Sequence, residues 1–199
     1  MAAAKAGELN EPAVLVKSAR RADALRNHER LLTVARASIA ERGGNIVLED
    51  IARDAGLGVG TLYRHFPTRQ SLLEAAFVDE AMELRARATE LAHEPSAIGA
   101  LVEWLRLQLD FGARGRSLGA AVMNAKHIDG SEIQIACRTM REAGTALLRR
   151  AQAAGEVRGS VEMSDILRLT HGMVLANEAA PDPDQMQRMF DLVVAGIRT

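Results

Sequence analysis

A single cysteine, Cys137, leaves no partner for a disulfide within the chain and points to a reducing compartment. Aromatic residues amount to only 3%, while Ala, Leu, Arg and Glu dominate, so a strand-rich fold is disfavoured and an all-α one is expected. No run of about 18 apolar residues occurs, so no membrane-spanning helix is expected. The opening stretch MAAAKAGELNEPAVLVKSARR lacks the basic-then-apolar order of a secretory signal, because Glu8, Glu11 and Pro12 interrupt it. A cytoplasmic location follows as the expectation. His28, His65, His93, His127 and His171 never fall at HxH or HxxxH spacing, which argues against a metal site, and no cofactor is expected.

A strong overall charge is also missing, the net value being −1. Its distribution is uneven. Between residues 20 and 70, Arg20, Arg21, Arg26, Arg30, Arg36, Arg42, Arg53, Arg64 and Arg69 outnumber Asp23, Glu29, Glu41, Glu49, Asp50 and Asp54. That segment carries about +3 and the remainder about −4. A basic module on an acidic body suits a nucleic-acid-reading head attached to a part that does not touch nucleic acid.

The pattern of the head is specific. Leu25, His28, Leu32, Ala35 and Ile39 recur at helical spacing and predict a first helix over residues 22–42, ended by Gly43 and Gly44. A second helix is expected over 48–55, with Leu48, Ile51, Ala52 and Ala55 inward and Glu49 and Asp50 in its first turn. Gly56 can take positive φ at the turn, Leu57 returns to the core, and Gly58 opens a third helix over 59–66. Pro67 stops it and Thr68 caps a fourth over 68–93. The span Val47 to Phe66 is thus a helix-turn-helix that presents one helix outward.

The rest reads as a helical body. Pro95 starts a fifth helix with Ile98, Leu101, Val102, Leu105 and Leu109 on one face, broken at Gly112, Gly115 and Gly119. A short helix is expected over 118–125. Further helices follow, capped by Ser131, by Ser164 and by the PDPD run at 181–184. The domains expected are a flexible arm over 1–20, a helix-turn-helix domain over 21–83 and a helical body over 84–199. Lys17, Arg20 and Arg21 at the end of the arm are placed to reach a groove, or are simply solvated charges.

LEDIARDAGLGVGTLYRHFPTRQSLL resembles the DNA-binding motif of the TetR family of transcriptional regulators over its whole length. The body resembles that family only in helix count, about nine in all. The resemblance implies a homodimer that reads a pseudo-palindromic operator on double-stranded DNA, most often a repressor released by a small-molecule effector. It makes the third helix the recognition helix, with Val59, Gly60, Thr61, Tyr63, Arg64 and His65 toward groove and phosphates and Arg69 as a further phosphate contact. Leu62 and Phe66 are core. Two positions depart from the family pattern. Val47 stands where a Thr or Ser usually caps the second helix, and Gly58 replaces the hydroxyl residue that caps the third. Asn45 is a candidate substitute for the first.

For the effector, Trp104, Phe111, Met123, His127, Cys137, Met140, His171 and Asn177 are candidates by character, each with ordinary packing as the alternative. Dimerisation is expected on helices over 163–179 and 183–198, where Gly172, Ala176, Ala195 and Gly196 permit close approach. Burial of those helices against the chain's own body is the alternative. Two other functions compete. Gly115-Arg-Ser117-Leu-Gly119 matches the hydrolase G-x-S-x-G motif, but an amphipathic helix precedes it where that motif requires a strand, so no enzyme is expected. A helical adaptor that has lost DNA binding draws on Val47 and Gly58.

Overall fold

The computed structural model describes residues 11–117, 128–179 and 181–199. Among these residues the regular elements are eight α-helices. They are α1 (Glu11–Arg42), α2 (Leu48–Asp54), α3 (Val59–His65), α4 (Arg69–Leu91), α5 (Ala97–Ser117), α6 (Glu132–Ala153), α7 (Met163–Ala179) and α8 (Pro183–Ile197). The only extended pairing among them is a lone antiparallel bridge between Val157 and Arg198. None of these helices is long and apolar enough to cross a membrane. The short helix expected over 118–125 lies outside the described residues.

Local chemistry explains most boundaries. Gly56, at φ +64°, donates its N–H to the Arg53 carbonyl while Leu57 N–H reaches the Ala52 carbonyl, a Schellman close to α2. Gly155, at φ +73°, ends α6 in the same way, through Gln152 and Ala151. The Thr68 hydroxyl accepts from Ser71 N–H and the Ser71 hydroxyl accepts from Thr68 N–H, a reciprocal capping box on α4. Ser131 caps α6 through Gln134 N–H, and Asp182 caps α8 with Pro183 at its first position.

Several expectations shift. Residues 11–20 belong to α1 and are helical rather than an arm. The Ala, Lys and Arg residues of this stretch are good helix formers. Leu25 is 62% exposed rather than inward, and the buried stripe of α1 among the described side chains is Leu31, Leu32, Ala35 and Ile39. Helix α5 runs through Gly112 and Gly115 to Ser117, because packing of its apolar face outweighs the cost of about 1 kcal/mol per glycine. Ser164 sits inside α7, whose first turn is instead closed on the Glu162 carbonyl.

One apolar core connects head and body. Leu31, Ala35 and Ile39 of α1 share it with Ile51, Leu62, Leu72 and Phe77, and α4 carries it on through Ala81, Leu84, Ala88 and Leu91. Trp104 and Leu105 of α5 and Leu147 and Leu148 of α6 complete the body, where α6 lies against α4 and α5. Trp104 is fully buried and donates its indole N–H to the Leu84 carbonyl at 3.0 Å. Its ring occupies the hollow over Gly144, where a Cβ would stand 2.2–2.7 Å from the ring carbons. Glu156 ties the α6 end back to the α5 start, its Oε2 accepting from Ile98 N–H at 2.6 Å.

Candidate nucleic-acid interface

Helix α3 is held by two residues and displays the others. Leu62 is fully buried and Phe66 is 3% exposed, which pins the inner face into the core, beside α2 and with Phe66 against His28 of α1. Ala52 of α2, also fully buried, keeps α2 and α3 close. Ala55, Gly56, Leu57 and Gly58 connect the two helices.

The outer face of α3 is open. Val59 is 39% and Tyr63 42% exposed, and Gly60 and Arg64 are exposed beside them. A Cβ built on Gly60 would meet nothing within 4 Å, so this glycine is not a helix-packing contact. What it leaves is a bare stretch of backbone on the outer face. Arg64 donates from Nη2 to the Thr61 hydroxyl at 3.0 Å, lying along its own helix. The Tyr63 hydroxyl donates to Glu49 Oε1 of α2 at 3.2 Å. That hydrogen bond, then the Glu49 charge, raises the Tyr63 pKa, so the phenol stays protonated and able to donate. Arg69, at the first position of α4, is exposed.

His65 behaves differently from its neighbours. It is half-buried, with its ring 5.8 Å from the His28 ring of α1, and His28 in turn packs at 4.9 Å on Phe66. Burial first, then the His28 and Arg64 charges, lowers its pKa. A neutral imidazole still offers one N–H donor.

Both missing caps are visible. Val47 and Gly58 occupy N-cap positions in extended conformation, and neither helix has a side-chain cap, so Asn45 does not replace the lost hydroxyl at α2. The amides at both helix starts are left to water or to an anionic ligand.

In the body the candidates separate. Trp104, Phe111 and Met140 are buried in the core, Phe111 with its ring 4.8 Å from Phe77. Cys137 is half-buried against that core. His171 is exposed on α7 with its ring over Gly112 of α5, 3.6 Å from where a Cβ would stand. Asn177 clasps the α7–α8 connection, its Oδ1 accepting from Asp182 N–H at 3.0 Å. Met123 and His127 lie outside the described residues. The backbone leading to Ser117 is helical, so a helix and not a strand leads into the G-x-S-x-G sequence.

Sequence reasoning missed two polar features. Gln108 and Thr170 are buried together between α5 and α7, the threonine hydroxyl 3.1 Å from Gln108 Oε1 and equally 3.1 Å from the Leu167 carbonyl. Their positions on apolar faces were the available signal. The second is an ionic link between α1 and α4, where Arg36 Nη1 lies 3.1 Å from Asp79 and also meets Glu83. No sequence spacing pairs residues that far apart.

Comparison with known proteins supports the arrangement. Residues 31–76 match the family described as bacterial regulatory proteins, tetR family, and residues 96–199 match the SbtR-like transcriptional regulator C-terminal domain. The TetR transcriptional regulator SCO0520 from Streptomyces coelicolor is 33% identical, covering 86% of this chain and 98% of its own at a TM-score of 0.71. A TetR transcription regulatory protein from Mycobacterium vanbaalenii is 30% identical over 90% of this chain and 99% of its own, at a TM-score of 0.62. An HTH-type transcriptional regulator of Staphylococcus aureus, SAB2452, is 42% identical over 53 residues, which is 26% of this chain and 29% of that protein.

Proposed function

The chain belongs to the TetR family of bacterial regulatory proteins, and from that premise we propose that it is a sequence-specific DNA-binding transcriptional regulator, acting as a homodimer and released from its operator by a small molecule. The observation that carries this is the division of α3, with Leu62 and Phe66 locked inward while Val59, Gly60, Tyr63 and Arg64 stand outward with no cover. In this reading Val59 and the bare Gly60 backbone approach base edges in the major groove. Thr61, Tyr63, His65 and Arg69 donate to phosphates, and Arg64 swings off Thr61 to a guanine edge or a phosphate. The Tyr63 hydroxyl exchanges Glu49 for a phosphate oxygen.

The proposed division is a DNA-reading head over residues 21–83 and an effector-binding, dimerising body over 84–199. Helices α7 and α8 supply the dimer face. Leu169, Leu175 and Leu192 are 55%, 48% and 72% exposed, with Gly172, Ala176, Ala195 and Gly196 between them at helical spacing. Their exposure in the single chain favours a partner subunit over burial in the chain's own body. Two such heads would sit about 34 Å apart on a pseudo-palindrome. The effector is proposed to enter between α5, α6 and α7, with the buried Gln108–Thr170 pair as polar anchor. Effector and DNA then weaken each other reciprocally.

The test is selection of bound sequences from random DNA, followed by binding of the selected duplex to Arg64→Ala and Tyr63→Phe. Each should weaken binding about 10-fold or more, an amount in line with about 1–3 kcal/mol per strong contact, with dimerisation unchanged. Wild-type affinity in both variants would remove α3 from the interface.

A further inference from the structure

The helix-turn-helix is poorly supplied with charge for holding a polyanion. Between Val47 and Phe66, Arg53 and Arg64 stand against three carboxylates, Glu49, Asp50 and Asp54. Arg53 is moreover taken up by Asp50 at 2.7 Å and by Asp54 at 3.5 Å. Neither Val47 nor Gly58 brings a hydroxyl that could donate to a phosphate. Phosphate neutralisation supplies a large share of protein–DNA affinity, so a head of this kind needs a second source of positive charge.

That charge lies on α1, ahead of Leu31. Over residues 20–30, Arg20, Arg21, Arg26 and Arg30 outnumber Asp23 and Glu29, and none of these side chains is buried. Asp23 is paired with Arg26. Arg30 Nη2 lies over the turn between α2 and α3, 3.0 Å from where a Cβ on Gly56 would stand. Arg20 and Arg21 are exposed and form no ion pair among the described side chains.

Their placement follows from His28. Its ring packs at 4.9 Å on Phe66 and 5.8 Å from His65, so α1 passes the end of α3 at that point. Arg21 precedes His28 by seven residues, which is about 20° short of two full turns and about 10 Å along the axis. Arg21 therefore continues the His28 face of α1 beyond the contact with α3, and Arg20 stands beside it.

We propose that Arg20 and Arg21 bind the sugar-phosphate backbone of DNA flanking each half-site, making these turns of α1 a second, sequence-independent grip. The proposal rests on operator reading by α3 and adds a contact outside it. Guanidinium forks match phosphate oxygens two by two and need no base edge.

The full chain is used to select bound sequences from random DNA, and an Arg20→Gln/Arg21→Gln double variant is compared with wild type on the selected duplex. Each lost phosphate contact should lower the slope of log affinity against log salt by about 0.9. For two contacts, the wild-type advantage should shrink about tenfold between about 50 and about 200 mM salt, with base preferences unchanged. Arg20→Lys/Arg21→Lys, which keeps both charges, should retain most of the slope. Trimming the duplex to the selected motif should bring wild type down to the glutamine variant and leave that variant unmoved. If the glutamine variant melts lower, the trimmed duplex decides, since it needs no substitution. Equal salt slopes, or indifference of wild type to trimming, overturn the proposal and leave operator reading intact. A changed base preference also overturns it, by making these arginines readers of bases. A wild-type chain that selects no motif overturns both readings together.

Discussion

Gly144 and Trp104 form a pair in which an absent side chain sets the packing. The Trp104 ring lies so close to Gly144 that even a methyl would overlap it, at 2.2–2.7 Å. Gly144→Ala gains some helix propensity, yet it forces the ring away from its hydrogen bond to Leu84, and overpacking costs about 1–3 kcal/mol. Denaturant unfolding should show a net loss of that order, with altered tryptophan emission. Gly60 is the opposite case, a helical glycine with open space above it. His65 carries a pH prediction. Its folded pKa lies below the ordinary value of about 6.5, through burial first and then His28 and Arg64, so the unfolded chain takes the proton more readily. The stability this gives is full above about pH 6.5 and is lost as pH falls through the lowered value. Melting temperatures at about pH 7.5 and about pH 5.5 should therefore differ more in wild type than in His65→Gln.

Helices α2 and α3 begin without side-chain caps, and the deficit can be repaired. Val47 already has an extended N-cap backbone and is 50% exposed, so Val47→Thr adds a capping hydroxyl without emptying the core. The expected gain is about 1 kcal/mol in thermal or denaturant unfolding, whereas Gly58→Ser should give only a few tenths. These positions also show what was legible in the sequence. Glycine at 56, threonine at 68, serine at 131 and the Asp182–Pro183 pair announce their boundaries, because capping depends on residues only a few apart. The α5 boundary was not legible. Gly112 and Gly115 look like breaks in isolation, and only the packing of the surrounding helices carries α5 through them. The helical state of residues 11–20 was missed similarly, since ordinary helix formers such as those at 13–20 carry no periodic signal.

At the scale of the whole molecule, the exposed leucines of α7 and α8 make a prediction about assembly. Leu192→Glu should shift the protein toward monomer in sedimentation velocity, and operator affinity should fall with it, because each half-site is then read alone. The exposed face of α3 was legible, since Arg64 falls opposite the buried Leu62 on the helical period and Tyr63 about 100° from it. The partners that hold that face were not. Glu49 beneath Tyr63 and His28 against His65 are brought there by the fold over 14 residues and more. The continuity of α4 has a mechanical consequence. Its head-side contacts at Leu72, Leu73, Ala76 and Phe77 and its body-side contacts at Ala81, Leu84, Ala88 and Leu91 belong to one unbroken shaft. Inserting a single residue between the two sets would turn the head by about 100° against the body, since one helical turn takes 3.6 residues. Seven residues would restore the phase to within about 20° and lift the head by about 10 Å. The spacing of Phe77 and Ala81 along α4 thus sets a rotational phase between the two halves of the molecule.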